Sequence, residues 1–124
     1  MSIRTERIAK LLQREIADIL QTEFAEQLPA MFTVTSVRVT KDLGIAYVNI
    51  SVYGQQLAQR QSAFRHLVEL TPQIRAALAD RIRHQVRSIP EIKFFQDESI
   101  HEARRMDELF DRIRAERERR QTDG

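Results

Sequence analysis

Apolar residues recur along this chain at two spacings, four and two, and the changes between them divide it into elements. Ile8, Leu12, Ile16 and Leu20 repeat every fourth position, with Ile19 widening the stripe, which predicts an amphipathic helix from about Thr5 to Phe24. Gln27 to Met31, with Pro29, read as a loop. Val34, Val37 and Val39 predict a strand, with an irregular step at Thr35-Ser36 of the kind a bulge makes. Lys41-Asp42-Leu43-Gly44 supplies a turn, and Gly44 is expected to take the positive φ. From Ile45 to Tyr53 the alternation is clean: Ala46, Val48, Ile50 and Val52 face one way, Tyr47, Asn49, Ser51 and Tyr53 the other.

Gly54 to Gln61 is polar, a loop or the entry of the next helix, and Phe64, Leu67 and Val68 predict a short second helix. Pro72 removes a helical N–H and clashes with the carbonyl four residues back, which forces a bend or break at Leu70-Thr71. Thr71 then suits an N-cap and Pro72 the first helical position. Ile74, Leu78, Ile82 and Val86 form the stripe of a third helix, ended by Ser88 to Glu91 with Pro90. Ile92, Lys93, Phe94 and Phe95 predict a last strand, with one phenylalanine in the core. The order is α-β-β-α-break-α-β. An α+β domain with a three-stranded sheet and helices on one face buries every stripe. Beyond it, Ser99 and Glu102 read as a capping box for a fourth helix carrying Ile100, Met106, Leu109, Phe110 and Ile113. From Arg114 the apolar positions stop, and a frayed, charged tail is expected.

Charge changes the picture more by its distribution than by its total, which is only +2. Residues 1 to 14 carry Arg4, Arg7, Lys10 and Arg14 against Glu6; residues 15 to 26 carry Glu15, Asp18, Glu23 and Glu26 unopposed. The first helix is therefore basic early and acidic late, against its own macrodipole, which favours the reverse by ~0.3–1 kcal/mol per charge. A helix arranged only for its own stability would not be charged this way. Residues 60 to 93 hold seven basic side chains against Glu69, Asp80 and Glu91. Two basic segments in a nearly neutral chain fit a polyanionic partner.

Composition excludes more than it selects. With no cysteine there is no disulfide or thiolate zinc site. No signal-type or membrane-length apolar run occurs, so a soluble, cytoplasmic protein without a membrane partner is expected. Glu98-Ser99-Ile100-His101 has the Glu-x-x-His spacing of di-metal helix bundles, but such sites need two copies and two further carboxylates. With three glycines in all and no phosphate-cradling or nucleophile motif, neither an enzyme nor a cofactor or metal site is expected. The RNA-binding candidates are Arg4, Arg7, Lys10 and Arg14, then Arg75, Arg83, His84 and Arg87 off the third-helix stripe, then Lys41 at the hairpin tip and Lys93 on the last strand. Such side chains would act mainly on phosphates.

Several of these residues carry a resemblance. They are Arg4, Arg7 and Ile8 with Glu15-Ile16; Val37 with Thr40-Lys41-Asp42-Leu43 and Ala46-Tyr47-Val48; and above all Pro90-Glu91-Ile92-Lys93-Phe94-Phe95-Gln96-Asp97-Glu98-Ser99. In this order and spacing, over roughly residues 3 to 100, the chain resembles the bacterial ribosome-binding factor A family. The resemblance implies a type II KH-like domain over 1–99, followed by a helical extension and charged tail over 100–124. It implies a monomeric assembly factor without catalytic activity. Such a factor binds immature small (30S) ribosomal subunits and precursor 16S ribosomal RNA, acts in 5′-end processing of that RNA and supports growth in the cold, with other assembly factors as further candidate partners. The family's bend is usually Ala-x-Gly; Leu70-Thr71-Pro72 stands here, and Gln27-Leu28-Pro29 replaces the usual Asp-Pro-Arg after the first helix. The rival reading is a protein-interaction module, docking through the acidic end of the first helix or the charged tail, with the basic face incidental.

Overall fold

The computed structural model describes residues 2–123. Helix α1 spans Ile3–Thr22, strand β1 Phe32–Val39, β2 Ile45–Val52, helix α2 Leu57–Glu69, α3 Thr71–Ile82, β3 Glu91–Gln96 and α4 Ser99–Asp123. Strand β2 is central, antiparallel to β1 and parallel to β3. A parallel pair needs a long crossover, and α2 with α3 supplies it. Helix α1 packs on β1 and on α3, while α2 and α3 cover β2 and β3. The even residues of β2, from Ala46 to Val52, are fully buried beneath these helices against Leu12, Ile16, Leu67, Ile74 and Leu78. This is the KH-like order α-β-β-α-kink-α-β, with the helices on one face of the sheet.

Strand β1 keeps its apolar face inward by a one-residue slip. Val34 pairs with Ile50, but Ser36 pairs with Asn49, so Thr35 is the extra residue of a bulge. The slip shifts the period-two phase, letting Phe32 and Val34 on one side of it and Val37 and Val39 on the other all reach the core. The Thr35 hydroxyl donates to Asp97 Oδ2 at 2.8 Å, tying the bulge to the end of β3.

The hairpin turn departs from expectation. Leu43, not Gly44, takes the left-handed conformation, with φ 60°. Asp42 Oδ1 accepts the Gly44 N–H at 3.0 Å and the Thr40 hydroxyl at 2.7 Å. A Cβ on residue 44 would sit 3.2 Å from that carboxylate oxygen, so the glycine answers a close approach rather than a positive φ. These bonds hold the Asp42 carboxyl below its ordinary pKa, the Thr40 hydroxyl contributing most.

The kink falls where Pro72 places it, although its chemistry differs in one respect. Leu70 is the residue between α2 and α3, and it caps α3 without a side-chain hydrogen bond. Thr71 is already helical, and its hydroxyl donates back to the Val68 carbonyl at 2.7 Å, closing the end of α2 instead of capping α3. Helix α3 stops at Ile82, one turn before Val86. A bond from the Val86 N–H to the Ile82 carbonyl, 3.2 Å long, continues the turn far enough to leave Val86 packed on the core.

Helix α4 begins differently from a capping box. Asp97 Oδ1 accepts both the N–H and the hydroxyl of Ser99, and the Glu102 N–H goes to the Glu98 carbonyl. The helix then continues through Arg114 to Asp123, where the sequence suggested fraying. Its apolar positions Met106, Leu109, Phe110 and Ile113 stay exposed, and it adds no side chain to the core.

Candidate nucleic-acid interface

The first three turns of α1 stand beside the α3–β3 connection because Ile8 and Leu11 pack on the core edge with Val86. The polar side chains next to those positions are then forced outward. Arg4 and Arg7 line an open groove with Asp42 and Leu43 of the hairpin turn and with Gln85, Arg87 and Pro90 of the connection. A second depression continues it along α1, lined by Arg7, Lys10 and Arg14 with Gln85 and Val86. Five of the candidate cations, Arg4, Arg7, Lys10, Arg14 and Arg87, thus share one surface. All five are exposed. Arg14 lies 3.6 Å from Glu15; among the described residues the other four make no ion pair. The anionic Asp42 stands at the rim, its oxygens already accepting from Thr40 and Gly44.

Other candidates do different things. Arg75 donates through Nε to the Pro90 carbonyl at 3.0 Å and through Nη2 to the Ile89 carbonyl at 2.8 Å. It fastens α3 to the segment entering β3, which explains a cation near a helix start without any ligand. Arg83 pairs with Asp80 at 2.7 Å on an exposed surface. His84 and Lys41 are exposed, one in the turn after α3 and the other at the hairpin tip, and neither lines the groove. Lys93 pairs in register with Tyr47 on the opposite, open face of the sheet. The kink residues Thr71 and Pro72 line a separate shallow groove that contains Arg75.

The excess of basic residues between 60 and 93 therefore overstates what is free. Arg81 projects from α3 to α1, where it meets Asp18 at 2.6 Å, Glu23 at 2.7 Å and Glu15 at 3.3 Å. Arg60 is almost fully buried, bidentate to Glu98 with a shortest contact of 2.8 Å, and it also donates to the Gly54 carbonyl. That guanidinium holds the Glu98 carboxyl below its ordinary pKa. His101 donates to the Val52 carbonyl at 2.9 Å. Both members of the Glu-x-x-His pair are thereby engaged inside the fold, and no group of three metal-ligating side chains occurs among the described residues. Arg60 and Arg81 are not among the candidate RNA-binding residues, yet helical spacing marks both. Arg81 is three residues from Leu78 and seven from Ile74; Arg60 is three from Ala63 and seven from Leu67.

A sequence model of the family described as ribosome-binding factor A matches residues 4–110, a span that takes in all of α1 but Ile3, every element from β1 to β3, and the five cations of the grooved surface. The chain belongs to the ribosome-binding factor A family. Its relatives in that family include the ribosome-binding factor A of Chlorobaculum tepidum, 41% identical over 121 residues, 98% of this chain and 99% of that one. That of Chlorobium luteolum is 44% identical over 114 residues, 92% of this chain and 94% of the other. Among solved structures, the crystal structure of ribosome-binding factor A from Thermus thermophilus superposes with a TM-score of 0.61 at 26% identity, covering 74% of this chain and 94% of that one. A Thermus thermophilus ribosome-binding factor A homology model, fitted into a cryo-electron-microscopy map of its complex with the 30S subunit, aligns with a TM-score of 0.57 at 27% identity over 73% of this chain and 91% of the other. Among the described residues no helix is long and apolar enough to cross a membrane.

Proposed function

We propose that this protein binds the maturing small ribosomal subunit through its 16S ribosomal RNA, with the α1 surface as the principal contact. The convergence of Arg4, Arg7, Lys10, Arg14 and Arg87 on one exposed surface is the observation that carries the reading. Two elements far apart in sequence supply these cations, and Arg4 stands in the first turn of α1, at the positive end of the helix macrodipole, where it destabilises the helix slightly. A cationic surface maintained at that cost suits a partner of high negative charge density. The relative fitted into the 30S map supports the small subunit as that partner.

The action is occupancy rather than catalysis. A rigid basic surface reads the spacing of phosphates on folded RNA, so bound protein favours the arrangement it fits and leaves when the mature arrangement no longer fits it. On this reading the protein is a cytoplasmic monomer that acts while the 5′ end of 16S ribosomal RNA is processed, and it matters most in the cold, when RNA rearrangements are slow. Of the surfaces the protein-interaction reading would use, the acidic end of α1 is closed around Arg81, which weakens that reading.

Sucrose-gradient fractionation tests the proposal. The native protein is expected with free small subunits that contain precursor 16S ribosomal RNA, and cells lacking it are expected to accumulate that precursor on cooling. Sedimentation with translating ribosomes, or away from ribosomal particles altogether, would contradict it.

A further inference from the structure

Helices α1, α2 and α3 cover one face of the sheet and leave the other open. In-register pairs place Arg38, Tyr47 and Lys93 in a row across the three strands on that open face, and Ser36, Asn49 and Phe95 in the next row. The Arg38 guanidinium lies over the Tyr47 ring, 5.0 Å from its centroid, and the Phe95 ring stands 5.8 Å from Tyr47, tilted by 39°. Phe95 is 48% exposed and Tyr53, further along the chain from β2, is 75% exposed. The Phe95 ring, near the end of edge strand β3, is held beside an aromatic neighbour and left half in water. Beyond Tyr53 the face continues to Arg104, Arg105 and Glu108 on α4, which line a depression with Ser51 and Tyr53. Of the carboxylates near these rows, Asp97 is occupied by Ser99 and Thr35, while Glu91 is exposed where β3 begins.

From this juxtaposition we infer that the open sheet face is a second RNA surface, one that takes a single-stranded segment with a base stacked on Phe95 and phosphates beside Arg38 and Lys93. Rings interleaved with cations on an exposed sheet are what unpaired bases require, because a base offers its π-face only when it is out of a duplex. A duplex presents phosphates but no free base faces, so it does not fit the rings. Asn49 and Ser36, hydrogen-bonded to each other at 2.7 Å, supply polar edges beside the stack. Since α1 lies across the helical layer, the two surfaces look away from one another. The protein would therefore hold folded RNA on one side and an unpaired segment on the other. This inference rests on the ribosomal-RNA reading and adds to it the class of RNA bound.

The chain supplies its own reporter. It has two tyrosines and no tryptophan, and Tyr47 and Tyr53 both lie on the open face. A single-stranded oligoribonucleotide of about ten nucleotides, titrated into the full-length protein, should quench tyrosine emission saturably, and a duplex of equal length should not. Phe95→Leu keeps an apolar side chain and removes the ring; it should weaken the oligonucleotide about tenfold, within the range for one lost stack. Lys93→Ala, altering an exposed side chain, should lower the magnitude of the salt slope by about 0.7. Arg4→Glu/Arg7→Glu should leave the quenching intact. Equal quenching by duplex, unchanged affinity in both Phe95→Leu and Lys93→Ala, or loss of quenching in the α1 variant would each overturn the inference. None of these would touch small-subunit binding through α1, which is measured separately. Quenching by RNA-free small-subunit proteins but not by the oligonucleotide would assign the face to a protein partner and also overturn it.

Discussion

At the start of α1, Arg4, Arg7, Lys10 and Arg14 extend into solvent; further along, Glu15, Asp18 and Glu23 close around Arg81 of a neighbouring helix. The two halves of one helix share a buried stripe and differ only in what their polar sides meet. In the second half the charges find partners within the chain, and the cluster helps fix α3 on α1. In the first half, among the described residues, no carboxylate pairs with them except Glu15 beside Arg14. Arg60 and Arg75 belong with Arg81, since each is a cation that looks available on a linear map and is committed to the fold. Whether a basic residue serves stability or binding is therefore decided by what packs against it, not by its neighbours in sequence.

The largest effect expected on this division is at Arg60. Glu98→Ala would leave a buried guanidinium with only the Gly54 carbonyl, and should cost about 3 kcal/mol of unfolding free energy in urea titrations. Acid should act in the same direction. The folded-state pKa values of Glu98 and Asp97 are depressed, Glu98 chiefly by Arg60 and Asp97 chiefly by the Ser99 hydroxyl. Their contribution is complete above the unfolded carboxylate pKa and is lost as pH falls through the lower folded values. Thermal denaturation between neutral pH and about pH 3 should show this loss in the wild-type protein and a smaller one in Glu98→Ala.

Next in size comes the exposed half of α1. Arg4→Glu/Arg7→Glu should weaken small-subunit binding at least tenfold, about 1.4 kcal/mol, and leave the fold no less stable, because an acidic first turn favours the helix by about 0.3–1 kcal/mol per charge. Arg81→Ala should do the converse. It leaves three carboxylates facing each other in a partly exposed site, costs about 1–2 kcal/mol of stability and leaves subunit affinity intact at temperatures where the protein is folded. Smallest is the hairpin turn. Leucine at a positive φ costs roughly 1–2 kcal/mol, but Leu43 also packs on the core edge. Leu43→Asn should shift the melting temperature by no more than a few degrees, because relief of strain offsets the lost contact.

Periodicity made most of the fold legible. The stripes of α1 and α3, the alternation in β2, the bulge at Thr35 and the break before Pro72 all follow from local spacing and from two residues with strong backbone preferences. What spacing could not show was pairing across the fold. Arg81 and Arg83 look alike in sequence, yet one meets three carboxylates and the other a single exposed aspartate. Gly44 looked like the left-handed residue because glycine usually is; the Asp42 carboxylate needed that space, and the positive φ passed to Leu43. Lys93 and Arg87 are both candidates on the linear map, but the sheet separates them. Of the ten candidate side chains, those on α1 were readable as a group because one helix carries them all. Arg87 joined them only through the packing of the α3–β3 connection beside α1.

The division between binding and structural cations is tested most directly by affinity for purified small subunits across a salt series, for the wild-type protein, Arg4→Glu/Arg7→Glu and Arg81→Ala. Loss of two phosphate contacts should lower the magnitude of the slope of log affinity against log salt by about 2 in the α1 variant, while Arg81→Ala keeps the wild-type slope. An unchanged slope in a folded α1 variant, or an equal loss in Arg81→Ala, would contradict the assignment.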